Sequence, residues 1–212
     1  MAPNRGIIMT TALKLYSNPR SRGRIARWML EEIGQPYEVE MLDFATTMKA
    51  PAYLAINPMG KVPALVHDGH VVTEAAAIST YLADAFPGAG LRPADRAGFY
   101  RWMFFGAGPL EQAVVNTSFG WRTSSPQDEG RTGYGSLDRV VNTLSGHLST
   151  HDFMVGNSFS AADVYVGSQV GWGLMFGTLP DTPALRAYAA RLRERPAAGR
   201  AAALDDAAAA QG

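Results

Sequence analysis

The chain has 212 residues, 47% hydrophobic and 18% charged, a balance that supports a packed core and argues against disorder. Nineteen Lys and Arg offset nineteen Asp and Glu, so neither nucleic acid nor an anionic membrane is an expected partner. With no cysteine, disulfides, thiolate-held metals and redox steps on a protein thiol are excluded, and any thiol chemistry must use a thiol that arrives as a ligand.

Residues 1–9 are short, carry a proline and do not read as a secretory signal; Met9 is a second candidate start. No run approaches the ~18–20 apolar residues of a membrane span, so a cytoplasmic chain is expected. Residues 13–16 read as a short strand, broken by Asn18-Pro19. Ile25, Trp28, Met29 and Ile33 then share one helical face, and Gly34 and Pro36 end the helix. Residues 37–41 alternate apolar and polar, the period of a strand. Strand, helix and strand here predict a right-handed crossover between parallel strands. A less regular helical stretch with Tyr53, Leu54 and Ile56 stops at Asn57-Pro58. Residues 64–67 and 70–72 flank Asp68-Gly69, a hairpin pattern. A helix follows over 74–86. The order βαβαββα predicts a four-stranded mixed sheet with helices against it, over residues 10–87.

Residues 87–93 read as a Pro/Gly linker. Over 95–208 no strand pattern is present, and an all-α domain is expected. Its helices are read over 95–118, 126–148, 160–175 and 182–195, with the Ala-rich tail beyond Pro196 as a weakly packed helix. Ser160-Ala161-Ala162-Asp163 has the arrangement of a capping box, a folding role. His147 and His151 share the i,i+4 spacing of a helical metal pair, but no H-E-x-x-H glutamate accompanies them. With His67 and His70 they are read as surface residues, and no metal is expected.

Four stretches carry a family resemblance: Tyr16-Ser17-Asn18-Pro19-Arg20-Ser21-Arg22-Gly23-Arg24, Asn57-Pro58-Met59-Gly60-Lys61-Val62-Pro63-Ala64-Leu65, Thr73-Glu74-Ala75-Ala76-Ala77-Ile78-Ser79-Thr80-Tyr81-Leu82 and Phe159-Ser160-Ala161-Ala162-Asp163. In this order and at these separations the chain resembles the soluble glutathione transferase superfamily over nearly its whole length. The resemblance implies a thioredoxin-like N-terminal domain that binds glutathione as co-substrate, a helical C-terminal domain that adds a pocket for an electrophile, and a homodimer.

Ser21 opens the first helix, where free N–H groups and a partial positive charge favour an anion. Its hydroxyl either caps the helix or donates to a sulfur anion. Bringing a thiol of pKa ~8.5 to about neutrality needs ~2–3 kcal/mol. A charge-assisted hydrogen bond and the helix terminus together reach that figure. The resemblance to the serine-type classes implies the activating role. Tyr16 competes for it, because other classes use a tyrosine near the end of this strand. Arg22, in the cluster Arg20, Arg22 and Arg24, would raise the local potential, while a solvated cationic edge is the plainer alternative.

The resemblance also implies a cis Pro63 that turns the Val62 backbone outward to pair with an extended peptide, whereas sequence alone favours a trans proline starting a strand. Glu74 is implied to meet the γ-glutamyl ammonium. Ala75 stands where the family carries Ser or Thr; its N–H can still hold the γ-glutamyl carboxylate, but a hydroxyl bond of ~1 kcal/mol is lost. Weaker glutathione binding is expected, with Thr73 a partial substitute. Lys49 and Lys61 would meet the glycine carboxylate. Trp102, Phe105, Pro109, Trp121, Trp172 and Phe176 are expected to wall the second-substrate pocket. Conjugation of the thiolate to a hydrophobic electrophile is the expected reaction. Glutathione-dependent reduction of a disulfide or hydroperoxide is one alternative, and binding without turnover is the other.

Overall fold

The computed structural model describes residues 12–211. The reading of residues 1–9 and the first two positions of the expected first domain lie outside them. Strand β1 (Leu13–Ser17) alternates, with Leu13 and Leu15 facing the main core and Tyr16 facing a second, smaller one. Helix α1 (Gly23–Ile33) buries Ile25, Met29 and Leu30 almost completely against the sheet. Each such side chain contributes about 1.5–3 kcal/mol. Gly34, at φ 67°, ends the helix by returning its N–H to the Leu30 carbonyl at 3.1 Å.

Strand β2 (Glu38–Met41) runs parallel to β1, as the crossover requires. A 3₁₀ turn (Thr47–Lys49) and the single-turn helix α2 (Pro51–Leu54) follow. Strands β3 (Ala64–His67) and β4 (His70–Thr73) form the expected hairpin around Asp68-Gly69, and α3 (Ala75–Ala85) closes the unit. The sheet order is β2-β1-β3-β4, with β3 antiparallel to both its neighbours. Helices α1 and α3 cover one face; Tyr16, Leu42, Met48, Tyr53 and Ala64 form the small cluster on the other, beneath α2.

The helical half differs from expectation in three places. The helix expected over 95–118 is α4 (Arg96–Phe105), a π turn (Gly106–Leu110) and α5 (Glu111–Ser118). Pro109 lies inside the π turn and has no N–H for an i→i−4 bond, so the wider turn absorbs it. The helix expected over 126–148 is two helices, α6 (Pro126–Arg131) and α7 (Leu137–Leu148). Gly133-Tyr134-Gly135 interrupts them, and Ser136 caps the second by accepting the Arg139 N–H. Helices α8 (Ala161–Met175) and α9 (Pro183–Arg193) lie as expected.

The third difference is the tail. Helix α10 (Pro196–Ala209) is docked, not loose: it and the preceding Arg195 lie along α1 of the first domain. Arg24 pairs with Asp206, Arg27 with Asp205 at 2.9 Å, and Arg200 with Glu31 at 2.9 Å. Arg195 grips Glu32 through two bonds of 2.7 Å. Local alanine content carries no sign of these partners, which sit far away in sequence. One continuous apolar core runs from Leu13 to Ala201 and joins the two halves.

The capping box at α8 is the polar anchor of the helical half. Asp163 is fully buried and accepts from Ser160 N–H (2.9 Å), Ser160 Oγ (3.0 Å), Met154 N–H (2.8 Å) and Tyr188 Oη (2.9 Å). The His147 and His151 rings stack at 4.3 Å, His147 half-buried against Trp102. Burial holds the His147 pKa below the usual imidazole value. Among the described residues no group of three or more side chains could hold a metal ion, and no helix is long and apolar enough to cross a membrane.

Candidate active site

Strand register assembles the site. Tyr16 of β1 pairs with Ala64 of β3, and Ala64 pairs with Thr73 of β4. The residues just past this row therefore share one edge of the sheet: the turn containing Ser21 after β1, Val62-Pro63 before β3, and Glu74-Ala75 after β4. Ser17 pairs with Met41, so the loop after β2 reaches the same edge. Asn18 Nδ2 ties that loop down through the Leu42 carbonyl at 2.8 Å. Both α1 and α3 begin here, and two helix N-termini raise the potential on a single rim.

Ser21 lies one residue before the N-cap position of α1, which Arg22 occupies. Its hydroxyl donates to the Asn18 carbonyl at 2.6 Å and accepts the Gly23 N–H at 2.9 Å. Ser21 thus caps the helix and is half-buried at the rim. Gly23 has to be glycine: a Cβ there would come within 2.0 Å of Ser17 Oγ and 3.0 Å of Ser21 Oγ. Tyr16 points into the opposite sheet face, 8% exposed, its ring 5.4 Å from Tyr53 with the Lys14 ammonium 4.9 Å above it.

Arg22 forms an ion pair with Glu111, the first residue of α5, and so bridges the two domains beside Ser21. The carboxylate offsets much of the guanidinium charge that the sequence pattern offered to the site. Tyr165 of α8 lies beside the pair; burial and the Glu111 charge push its hydroxyl pKa well above the ordinary value, so it remains neutral. Glu111 and the anchoring residues Asn18 and Asn57 escaped sequence reasoning. Both asparagines precede a proline and read only as chain breakers.

The peptide bond between Val62 and Pro63 is cis. Neither the N–H nor the C=O of Val62 has a hydrogen-bond partner among the described residues. The preceding Lys61 carbonyl is fixed by Tyr53 Oη at 2.5 Å and Asn57 Nδ2 at 2.8 Å. Gly60 turns at φ 57°, where a Cβ would press on Leu54, Lys49 and the Met48 carbonyl at 3.1–3.2 Å. Lys49 Nζ donates to the Gly60 carbonyl at 2.6 Å, which puts one ammonium against this loop; Lys61 is exposed on the loop itself.

Glu74 is exposed at the N-cap of α3 with φ 67°, a conformation that costs a non-glycine residue about 1–3 kcal/mol. Its side chain caps nothing. The Ala75 methyl is buried, and the N–H groups of the first turn of α3 face the rim.

The residues expected to wall a second-substrate pocket do not stay together. Trp102 is 3% exposed and packs on Phe105 and His147 in the core, a correction to its expected role. Trp172 lines a cavity with Arg24 and Trp28 on another face of α1, also a correction. Trp121 and Phe176 are exposed, the Trp121 ring tilted against Phe119 at 5.4 Å. Phe105, half-buried, packs edge-on against Trp102 at 5.2 Å, and Pro109 lies in the π turn that leads to Glu111. Aromatic side chains read from sequence look alike whether they fill a core or line a cleft.

Comparison with known proteins agrees with this geometry. Residues 11–84 match the glutathione S-transferase N-terminal domain and residues 109–196 the C-terminal domain. Glutathione S-transferase GST-4.5 of Xanthomonas campestris is 29% identical over 85% of this chain and 92% of its own. Glutathione S-transferase 3 of Zea mays is 31% identical over 71% of this chain and 73% of its own. A sphingomonad glutathione S-transferase solved in complex with glutathione superposes with a TM-score of 0.74 at 31% identity, covering 91% of this chain and 98% of that one. Two matched domains in the right order, a sheet edge built as described and relatives that span nearly the whole fold lead to one assignment: the chain belongs to the glutathione S-transferase family.

Proposed function

We propose that this transferase lays glutathione along the rim formed by Ser21, Val62-Pro63 and Glu74-Ala75, keeps its sulfur anionic, and transfers it to a hydrophobic electrophile. The observation that carries the reading is the register row Tyr16–Ala64–Thr73, which gathers two helix N-termini and one unpaired peptide group at a single edge. The tripeptide backbone pairs with the free N–H and C=O of Val62 in strand fashion. Glu74 meets the γ-glutamyl ammonium, and the Ala75 N–H meets the γ-glutamyl carboxylate. Lys49 and Lys61 take the glycine carboxylate.

At the sulfur, the Ser21 hydroxyl turns from the Asn18 carbonyl to donate to the thiolate, and the first amides of α1 add their partial charge. The proton leaves to solvent, the sulfur lone pair forms the new bond to carbon, and the displaced group departs with the bonding pair. Tyr16 is held away on the other sheet face and ranks behind Ser21. Arg22 positions α5 through Glu111, and Phe105, Pro109 and Trp121 flank the electrophile. The enzyme works as a cytoplasmic homodimer, a proposal supported by the exposed aromatic pair Tyr100 and Phe104, one turn apart on α4.

The test combines three measurements on the intact protein. Calorimetry with glutathione is expected to give saturable binding. A chloronitrobenzene electrophile is expected to turn over faster than a hydroperoxide or a mixed disulfide, and gel filtration is expected to give twice the chain mass. Faster turnover of the disulfide would replace conjugation by reduction, and no uptake of glutathione would end the enzymatic reading.

A further inference from the structure

Ion pairs cross between the two halves in three places. Arg24, Arg27, Arg195 and Arg200 fasten α1 to α10 and the residue before it. Arg92 and Arg96 meet Asp84 where the halves join. Arg22–Glu111 stands apart: among the described residues it is the ion pair that ties the neighbour of Ser21 to the helical wall across the cleft.

Glu111 reaches Arg22 because of the π turn before it. Its N–H donates to the Gly106 carbonyl, five residues back, so the helix carries one residue more than a regular α turn there. That extra residue turns α5 by about 100°, and Glu111 stands where an unbroken helix would present Leu110. Pro109 has no N–H to close a regular turn, and Gln169 Nε2 donates to the same Gly106 carbonyl at 3.2 Å. Gly106 lets α8 pack this closely: a Cβ there would come within 2.9 Å of Tyr165 Cε1 and 3.1 Å of Val166 Cγ2. Helix α8 thus clamps the turn, and the turn aims a carboxylate rather than a leucine at the cleft.

The other charged groups around Ser21 are committed or stand away from the cleft. Arg20 is exposed before α1, and Arg24 is held by Asp206 on the other flank. Glu74 is exposed at the head of α3, Lys49 is held on the Gly60 carbonyl, and Lys61 is exposed. Tyr165 of α8 is buried and neutral. Arg22 and Glu111 are therefore the charges on the cleft side of Ser21, and they sum to zero. Arg22 is about half exposed, so water weakens the field of each.

We propose that Glu111 is a positioning and selectivity residue: it holds the Arg22 guanidinium in a neutral pair at the mouth of the sulfur site, so that the cleft receives uncharged electrophiles in preference to carboxylate-bearing ones. This rests on the placement of the glutathione sulfur at Ser21. The two members of the pair act on the thiolate with opposite signs. Without Glu111, an unpaired guanidinium stabilises the thiolate and attracts an anionic electrophile; without Arg22, an unpaired carboxylate does the reverse.

The test uses the intact enzyme with a chlorodinitrobenzoate and its uncharged amide as matched electrophiles. Glu111→Gln is expected to move the acid limb of the pH–rate profile for the amide down by about half a unit, and to raise the benzoate-to-amide rate ratio about threefold. Arg22→Gln is expected to move the limb up by about as much and to lower the ratio about threefold. In the double variant both readouts should return to their wild-type positions although the link between the halves is gone, and added salt should shrink both single-variant shifts. A role confined to holding the halves together would move both single variants the same way and leave the double variant no better. Shifts of the same sign, or no shift in either variant, would overturn the proposal; because the expected signs are opposite, one variant decides if the other fails to fold. Calorimetry keeps the two readings apart. Variants that bind glutathione normally yet show no charge effect remove the role of Glu111 alone, whereas a wild type that takes up no glutathione removes the site itself.

Discussion

Ser21→Ala tests the thiolate account at its centre. In the structure the Ser21 hydroxyl already donates to the Asn18 carbonyl at 2.6 Å, so donation to sulfur must give that bond up. A hydrogen bond to a charged group is worth about 1.5–3 kcal/mol and a neutral one about 0.5–1.5, which leaves a net gain of about 1–1.5 kcal/mol. At 1.36 kcal/mol per pKa unit, the hydroxyl accounts for about one unit of thiol acidification, and the helix terminus supplies the rest. The variant should therefore move the acid limb of the pH–rate profile with chloronitrobenzene up by about one unit. On that limb the rate falls about tenfold; at high pH, where the thiol is ionised without help, the two enzymes converge. Titrating the thiolate absorbance of bound glutathione should show the same displacement. A loss that is uniform across pH, or an unmoved limb, would refute the reasoning and shift the role to Tyr16 or to the α1 amides. Because Ser21 also accepts the Gly23 N–H, a stability cost of about 0.5–2 kcal/mol is expected alongside, and a melting curve separates it from the kinetic effect.

Three further outcomes follow from single residues. Ala75→Ser restores a hydroxyl beside the free amides of α3 and should tighten glutathione about fivefold by calorimetry, a gain of ~1 kcal/mol. Asp163→Asn replaces two acceptor oxygens that serve four donors in the core, so urea unfolding should show a loss of about 2–4 kcal/mol with little change in the glutathione affinity of the folded protein. For Asp205 the folded pKa of about 6 lies above the usual carboxylate value, so the folded state takes up a proton before the unfolded chain does. Its contribution to stability therefore grows as pH falls from 7 through 6. In urea titrations at pH 7 and pH 5, the wild type should gain on Asp205→Asn at the lower pH.

What the sequence disclosed follows from the range of each signal. The β3–β4 hairpin was legible because Asp68-Gly69 alone sets its turn, and α1 because its apolar face repeats within one helix. Ser160 and Asp163 announce the start of α8 within four residues. The failures are long-range. Arg22 met Glu111 across the domain cleft, α10 found α1 through partners far away in the chain, and Trp102 turned into the core because α7 brought His147 against it. The π turn at Pro109 and the break at Gly133-Tyr134-Gly135 are local, and a proline and a pair of glycines mark them in the sequence. Motif likeness supplied the candidate rim residues; only strand register could say that they end on one edge.

The clamp of α10 on α1 has a consequence for how the molecule comes into being. During synthesis the N-terminal half can collapse early, but the outer flank of α1, with Glu31, Glu32 and Arg27, stays bare until the last helix has been made. A chain cut short before Pro196 leaves Arg27 without its counter-charge and opens the flank of α1 to water, and the half that carries the proposed glutathione rim inherits the defect. The two halves should therefore melt together in a single transition, with the closing residues of the chain acting as the final inspection of the opening ones.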